Sequence, residues 1–541
     1  MLEIPAPSWV ESDAELAEGL DLLGLRQPVQ AIGASLLNGV TSVTPTIRYL
    51  SFSCWLLFRY AEARLPDRYK DFSAFAQRAE AALVMGNLIA NGRIGRLVGP
   101  IASQRRLNAS DNDSVVLSPV AQTPALGIYL SAAVQLGLFQ LSVDGAPRLS
   151  EERGLPLAKA LDETLVFLTF AQDLTSSNPP TIATKTDLQA LGNALAMNTI
   201  SETERILLGD ALIPARPRST ELHRISTYAS LFSLTDEVAR IPSEFEFMEA
   251  ATCKSGFPNQ QLMNWSDAWL AYEIRDMLAA THEYLFREIL EQLKLMGGKD
   301  CVPLKPRFVI SALLSRSDDL LEALVTLGLA AVGEKIENLK MKDLVARVNE
   351  ATNTERGLRN GIYRWAGKLI ETEVMKAAGR SGQRGQVVFV LVAWILAARR
   401  VPADSAQRNS QLDLISNDEG RRVGIFTVLS PSVQNWTTSE VLLIDQAAEM
   451  MKFTVHQHLN IAWSRMARDP KKDVALLSVE EGQWKSLGKK IAAGRTVSRL
   501  DQSIGWMSQL GWIDANGVTE KGRLYADRAF EIAGRSNNES A

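Results

Sequence analysis

Apolar residues recur at helical spacing along most of this chain, and alternation at strand spacing is rare. The segment IRYLSFSCWLLFRYAEARL (47–65) carries apolar and aromatic residues on several faces, which predicts a helix buried on most sides. Residues 12–40 predict two short helices around Gly24, and 70–91 an alanine-rich amphipathic helix. Residues 184–300 read as further helices, with a capping-box start at Ser201 and Glu204 in ISETERILLGDALI. Two more helices are expected within 355–400, separated by GRSGQRG. A long one is expected from Thr438 to Arg468, capped by Thr438 or Ser439. Residues 401–437 are turn-rich and contain one strand-like stretch, VGIFTVL (423–429). NASDNDS (108–114) and Ser176-Ser177-Asn178-Pro179-Pro180 read as an exposed loop and a linker, and the tail GRSNNESA as disordered.

One pattern occurs twice. Gln135-Leu136-Gly137 and Gln509-Leu510-Gly511 each end a helical stretch. Two large apolar residues follow (Leu138-Phe139; Trp512-Ile513), then a short polar turn. A new helix opens with Ser150-Glu151 before Gly154, or with Thr519-Glu520 before Gly522. Helix, glycine stop, small hairpin and closing helix is the order of parts in a winged-helix unit. The units are placed at 115–172 and 470–534. Thr326-Leu327-Gly328-Leu329 is half a match, because no Ser/Thr-Glu-x-Gly restart follows.

The expected fold class is therefore mostly α: a multi-domain helical protein with two winged-helix-like units carrying small β-wings. Length alone suggests three or four domains. The patterning divides the chain into a helical domain (1–114), a winged-helix-like unit (115–175), helical domains at 184–300 and 301–437, and a long helix with the second unit (438–541). The 301–437 segment carries the half-matching element.

Composition narrows the partner class. Apolar residues make up 46% and charged residues 22%, so a core can form. A net charge of −4 means that any nucleic-acid contact is local. The cysteines Cys54, Cys253 and Cys301 are too few and too scattered for a disulfide framework or a structural zinc site. The start MLEIPAPSWVESDAELAEG has no basic stretch followed by an apolar one, so no signal peptide is expected there. The longest apolar run, Val387 to Ala398, is 12 residues. A membrane span needs about 20. A buried helix, no membrane contact and a cytoplasmic location are expected.

The nucleic-acid candidates lie in the second unit. There 480–493 reads as a first helix, Gly494-Arg495 as the turn and 496–510 as the recognition helix, capped by Thr496. Arg495, Ser498, Arg499 and Gln502 would face a duplex, with Lys489 and Lys490 reaching phosphates. From Trp463 to Ala541 there are 13 Lys/Arg against 10 Asp/Glu, a mildly basic balance. The wings carry Asp514 in the second unit, and Asp144 with Arg148 in the first, where Glu151-Glu152 follow. The plainer reading is that both units pack against protein.

Two glycine- and arginine-bearing loops, NGRIGRLVG (91–99) and GRSGQRG (379–385), are candidate anion sites. Backbone N–H groups at a helix start attract anions, and Arg93, Arg96, Arg380 and Arg384 would add charge. Neither loop is a Walker motif or a dinucleotide fingerprint, and solvated turns are the alternative. His456 and His458 are two apart on a helix, so their rings diverge; His223 and His282 complete the histidines. No metal site, cofactor or catalytic residue is assigned, and no Gly-x-Ser-x-Gly elbow occurs.

The remaining block is SLLNGVTSVTPTIRYLSFSCWLLFRY (35–60). Leu37, Gly39, Thr41, Thr44, Arg48, Tyr49, Phe52 and Trp55 follow a pattern that resembles a group of uncharacterised bacterial proteins. Thr46 stands where that group often has an arginine. The resemblance implies no activity, only a setting among defence or mobile-element components. From the residues alone, the hydroxyls cap a helix, Arg48 satisfies carbonyls or an acid, and the aromatics are core. Three functional readings follow. The first is a non-enzymatic component that binds duplex DNA or a protein encoded nearby. The second is an unrecognised metal-dependent nuclease or nucleotide hydrolase. The third is a scaffold whose winged helices contact other subunits.

Overall fold

The computed structural model describes residues 21–66, 68–92, 97–110, 113–121, 123–143, 145–253, 257, 260–352, 356–359, 362–365, 369–401, 423–468 and 474–539. The chain is mostly helical, and among the described residues the strands pair in small antiparallel two-stranded sheets. It divides into two discontinuous compact units. One comprises residues 1–33 with 245–497, the other 34–244 with 498–541.

The second of these holds both copies of the repeated motif, and they share the same helix stop, hairpin and hydroxyl lock. Helices Ala125–Gln135 and Leu500–Gln509 end the same way. Gly137 (φ 72°) and Gly511 (φ 67°) adopt the left-handed conformation. Leu138 N–H then reaches back to Ala133 O, and Trp512 N–H to Met507 O, both at 2.9 Å. A hairpin follows: Phe139–Leu141 against Pro147–Leu149, or Ile513–Asp514 against Gly517–Val518. Ser150 Oγ donates to Gly137 O and accepts from Gly154 N. Thr519 Oγ1 likewise donates to Gly511 O and accepts from Gly522 N. Closing helices Gly154–Leu165 and Glu520–Glu539 complete the copies. The latter takes in most of the tail expected to be disordered.

Each copy packs on a helix that precedes it in the chain. Gly154–Leu165 lies on Arg48–Glu62, and Glu520–Glu539 on Leu222–Val238. The second contact centres on Trp512, which stacks on Tyr525 at 4.5 Å and touches Tyr228 and Phe232. Helix Glu202–Leu212 has the expected capping box, Ser201 with Glu204.

The other unit is built around helices Gln260–Gly297 and Gln386–Arg400. The second contains the 12-residue apolar run, buried from Val387 to Ala397. No helix among the described residues is long and apolar enough to cross a membrane. Thr326-Leu327-Gly328-Leu329 makes the same helix stop as the two full copies. Gly328 has φ 69° and Leu329 N donates to Leu324 O, but no hairpin follows among the described residues.

Three sequence expectations are corrected. Residues 480–493 do not form a helix. Leu477–Glu480 and Gln483–Ser486 form a hairpin turned by Glu481 (φ 51°) and Gly482 (φ 76°), a pair suited to a tight two-residue turn. Trp484 anchors it by a reciprocal backbone pair with Leu304. The strand expected at 423–429 is helical, its 425–429 turn running into Ser430–Trp436. The long helix begins at Leu443 rather than Thr438, because Val441 O and Leu443 N are held by backbone bonds to Met341 and Leu339.

Candidate functional site

The two repeats grip one loop, residues 38–47, from the N-terminal block. Gly39 N donates to Gln135 Oε1 at 2.8 Å, and Ile47 N to Gln509 Oε1 at 3.0 Å, so the glutamine of each Gln-Leu-Gly holds a backbone amide. Tyr129 OH accepts from Thr46 N, Trp506 Nε1 donates to Thr44 O, and Gln509 Nε2 donates to Pro45 O. The loop has few internal bonds of its own, and these side chains satisfy its backbone groups. Gly39 needs φ 88° and lies tight against Leu136, which explains the glycine.

The rest of that block is structural. Arg48 is 3% exposed and donates to Ala196 O and the Glu204 carboxylate. Tyr49 OH accepts from Val98 N, and Trp55 Nε1 donates to Asp162 at 2.9 Å. Thr44 Oγ1 donates to Thr41 O within the turn. Helix Arg48–Glu62 itself starts without a side-chain cap.

The candidate recognition helix is shorter than expected, Leu500–Gln509, and its candidate residues point inward. Arg499, at φ 67°, donates to Val40 O. Ser498 is fully buried and Gln502 is 7% exposed. Arg495 precedes the helix and belongs to the other unit, where Nη2 reaches Glu273 Oε2 at 2.9 Å and Nε reaches Asp276 Oδ2 at 3.3 Å. Of the six residues, only Lys489 and Lys490 are exposed. Sequence position alone assigns the four others to a duplex. Burial assigns Ser498 and Gln502 to the protein interior, and hydrogen bonds tie the half-buried Arg495 and Arg499 to acceptors of the protein itself.

The glycine-arginine loop at 379–385 does present a helix N-terminus to an anion, and that anion is internal. Gly385 N and Gln386 N donate to the Glu288 carboxylate at 3.1 and 3.0 Å. Arg384 pairs with Glu291, and Arg380 is exposed. Ala125 N and Leu126 N similarly donate to Glu80 at 2.8 and 2.7 Å. Burial pushes Glu80 up to about 7 against those two N–H bonds, and burial likewise raises Glu288. Arg93 and Arg96, like Asp144, lie outside the described residues.

Helix Gln260–Gly297 carries a row of buried acids. Asp267 pairs with Arg364, and Glu283 with Arg26. Glu273 and Asp276 share Arg495, and Asp276 also accepts from Thr496 N at 2.8 Å. Burial pushes Glu273 up to about 7, with Arg495 opposing. Each acid meets an arginine or a backbone N–H, an arrangement that ties segments to the helix.

The histidines are fastened too. His282 Nε2 accepts from Trp394 Nε1 at 3.0 Å, which places the proton on Nδ1, 2.9 Å from Thr454 Oγ1. Burial lowers its pKa to about 3. His458 Nε2 accepts from Leu476 N, so Nδ1 donates to Leu22 O. His223 Nδ1 meets Ser35 Oγ, while His456 is exposed. No group of three or more His, Cys, Asp or Glu among the described residues could hold a metal ion.

A feature the sequence did not flag is a cleft of about 460 Å³ lined by helix Leu500–Gln509 together with Pro45, Thr46, Met197 and Asn198. Its one sequence signal is Gly505, a glycine in mid-helix. Comparison with known proteins gives no match among family models, curated proteins or solved structures.

Proposed function

We propose that this chain is a non-enzymatic scaffold whose two winged-helix-like units build a frame that holds a protein partner. The observation that carries the reading is the internal use of helix Leu500–Gln509. Arg499 is bound to Val40 O, and Ser498 and Gln502 are buried, so the helix that would enter a groove serves packing instead. The first repeat supports it from another side. Its hairpin exposes Leu141 and Val143, apolar residues suited to protein contact. The resemblance of the N-terminal block adds a setting, a bacterial defence or mobile-element system.

The test is affinity purification of the tagged full chain after cross-linking in cells, run beside a salt-dependent gel shift on duplex DNA. A discrete protein recovered near stoichiometry, with no shift at physiological salt, is the expected result. A shift that weakens in Lys489→Ala/Lys490→Ala would overturn the reading and make DNA the partner. Incubation with Mg²⁺ or Mn²⁺ and DNA, RNA and nucleoside triphosphates is expected to leave every substrate intact.

A further inference from the structure

The cleft on helix Leu500–Gln509 is lined by Asp501, Gln502, Ile504, Gly505 and Gln509 of that helix. Its size, about 460 Å³, lies within the range of small-ligand sites. A Cβ on Gly505 would meet only Gln509 Nε2, at 3.9 Å, so the missing side chain leaves real space on the floor. Met197 and Ile504 are buried apolar lining residues, and Pro45 lines the cleft with them.

Gln502 is 7% exposed, and its Oε1 is buried with no hydrogen-bond partner. A buried acceptor left unmade is costly, and a donor brought into the cleft would relieve it. Asp501, in the first turn of the helix, has no ion-pair or hydrogen-bond partner among the described residues. Asn198 adds an exposed amide at the rim. Gln509 is committed through both amide atoms to the 45–47 backbone. No lysine, arginine or histidine is among the lining residues. One buried acceptor left unmade, one unpaired carboxylate, apolar lining residues and no lining cation favour a hydrogen-bond donor that carries positive charge.

We propose that this cleft binds an organic ammonium group carried on an apolar stem. The stem lies on Met197 and Ile504 over Gly505, and the ammonium donates to Asp501 and Gln502 Oε1. The same chemistry is offered by a free alkylamine and by a lysine side chain of another protein. The inference is independent of the scaffold reading, because the cleft is complete within this chain.

The test is a titration of the full chain, labelled at methionine and isoleucine methyls, with n-hexylammonium, hexanol and hexanoate. Saturable shifts of the Met197 and Ile504 methyls by hexylammonium, with hexanol and hexanoate at least tenfold weaker, are expected. Asp501→Asn should weaken binding about tenfold, Asp501→Glu should restore most of it, and Gly505→Leu should abolish it with the remaining methyl spectrum unchanged. A blocked pentapeptide with central lysine separates the sources: tighter binding than hexylammonium assigns the site to a partner's lysine, weaker binding to a free amine. Equal shifts by hexanol and hexylammonium, or none by hexylammonium, would overturn the proposal.

Discussion

Gly154 and Gly522 stand at the same point of two helix–hairpin–helix units. A Cβ on Gly154 would come 2.1 Å from Leu138 O, and one on Gly522 would come 2.0 Å from Trp512 O. The obstructing atom in each case is a backbone carbonyl that the following hydroxyl residue helps to fix, since Ser150 N donates to Leu138 O and Thr519 N to Trp512 O. Both positions therefore demand glycine for closeness of approach, with no need for an unusual φ. Gly154→Ala and Gly522→Ala are each expected to destabilise by about 3 kcal/mol, the upper part of the overpacking range. Urea denaturation measures both; a neutral result at either would break the equivalence of the copies.

The paired hydroxyls give a gentler test. Ser150 Oγ donates to Gly137 O and accepts from Arg153 N and Gly154 N, and Thr519 Oγ1 donates to Gly511 O and accepts from Gly522 N. Ser150→Ala and Thr519→Ala should each cost about 1 kcal/mol. The conservative change Thr519→Ser, which keeps the oxygen, should lie within about 0.5 kcal/mol of the parent.

Arg495 pairs with both Glu273 and Asp276. Arg495→Ala removes the arginine that both buried carboxylates share, and a loss of about 3 kcal/mol is expected. Adding Glu273→Gln and Asp276→Asn to Arg495→Ala should recover much of it. A DNA-reading role for Arg495 makes the opposite forecast, unchanged stability with lost binding.

Glu80 sets a pH dependence. Burial raises its carboxyl to about 7 in the folded state, above an ordinary value near 4.5. Between those values the folded chain holds a proton that the unfolded chain has released. Stability from this group is thus greatest at low pH and falls as pH rises toward 7, by up to about 1.4 kcal/mol per pH unit. Glu273, also raised to about 7, adds a slope of the same sign in the other unit. Glu80→Gln should flatten the slope measured for residues 34–244 by hydrogen exchange between pH 5 and 7, and leave the Glu273 contribution in place.

Gly505 is a mid-helix glycine with open space at its Cβ and no positive φ. Gly505→Ala is expected to raise stability by about 0.5–1 kcal/mol. A glycine kept at such a site at the expense of stability fits a cleft that has to stay open; thermal denaturation of this variant beside the amine titration links the two.

Much of the architecture was legible in local pattern. Residues 47–65 and 70–91 became helices Arg48–Glu62 and Tyr69–Asn91, and Ser201 with Glu204 made its capping box. Leu-Gly followed by large apolar residues gave the same helix stop at 137, 328 and 511, because glycine alone enters the left-handed region without cost. The hairpin at 477–486 was missed. Its alternation is short, and Glu481-Gly482 is a weaker turn signal than Asn-Gly, so the spacing in 480–493 predicts a helix instead.

The candidate site was less legible, and the reason is electrostatic. Arginines in a helical stretch read as surface charge, yet a guanidinium can satisfy several buried acceptors at once. Arg48, Arg364 and Arg400 are all buried on carboxylates that lie 29 to 156 residues away. The sequence by itself determined the helical class, the duplicated stop-hairpin-helix motif and the glycines that motif needs, since these rest on periodicity and backbone sterics within a few residues. Only the tertiary structure decided that the repeats clasp the 38–47 loop, that Arg495 and Arg499 face inward and that Asp501 and Gln502 border an open cleft. Those outcomes depend on which distant carboxylates and carbonyls remain unsatisfied once the core has closed.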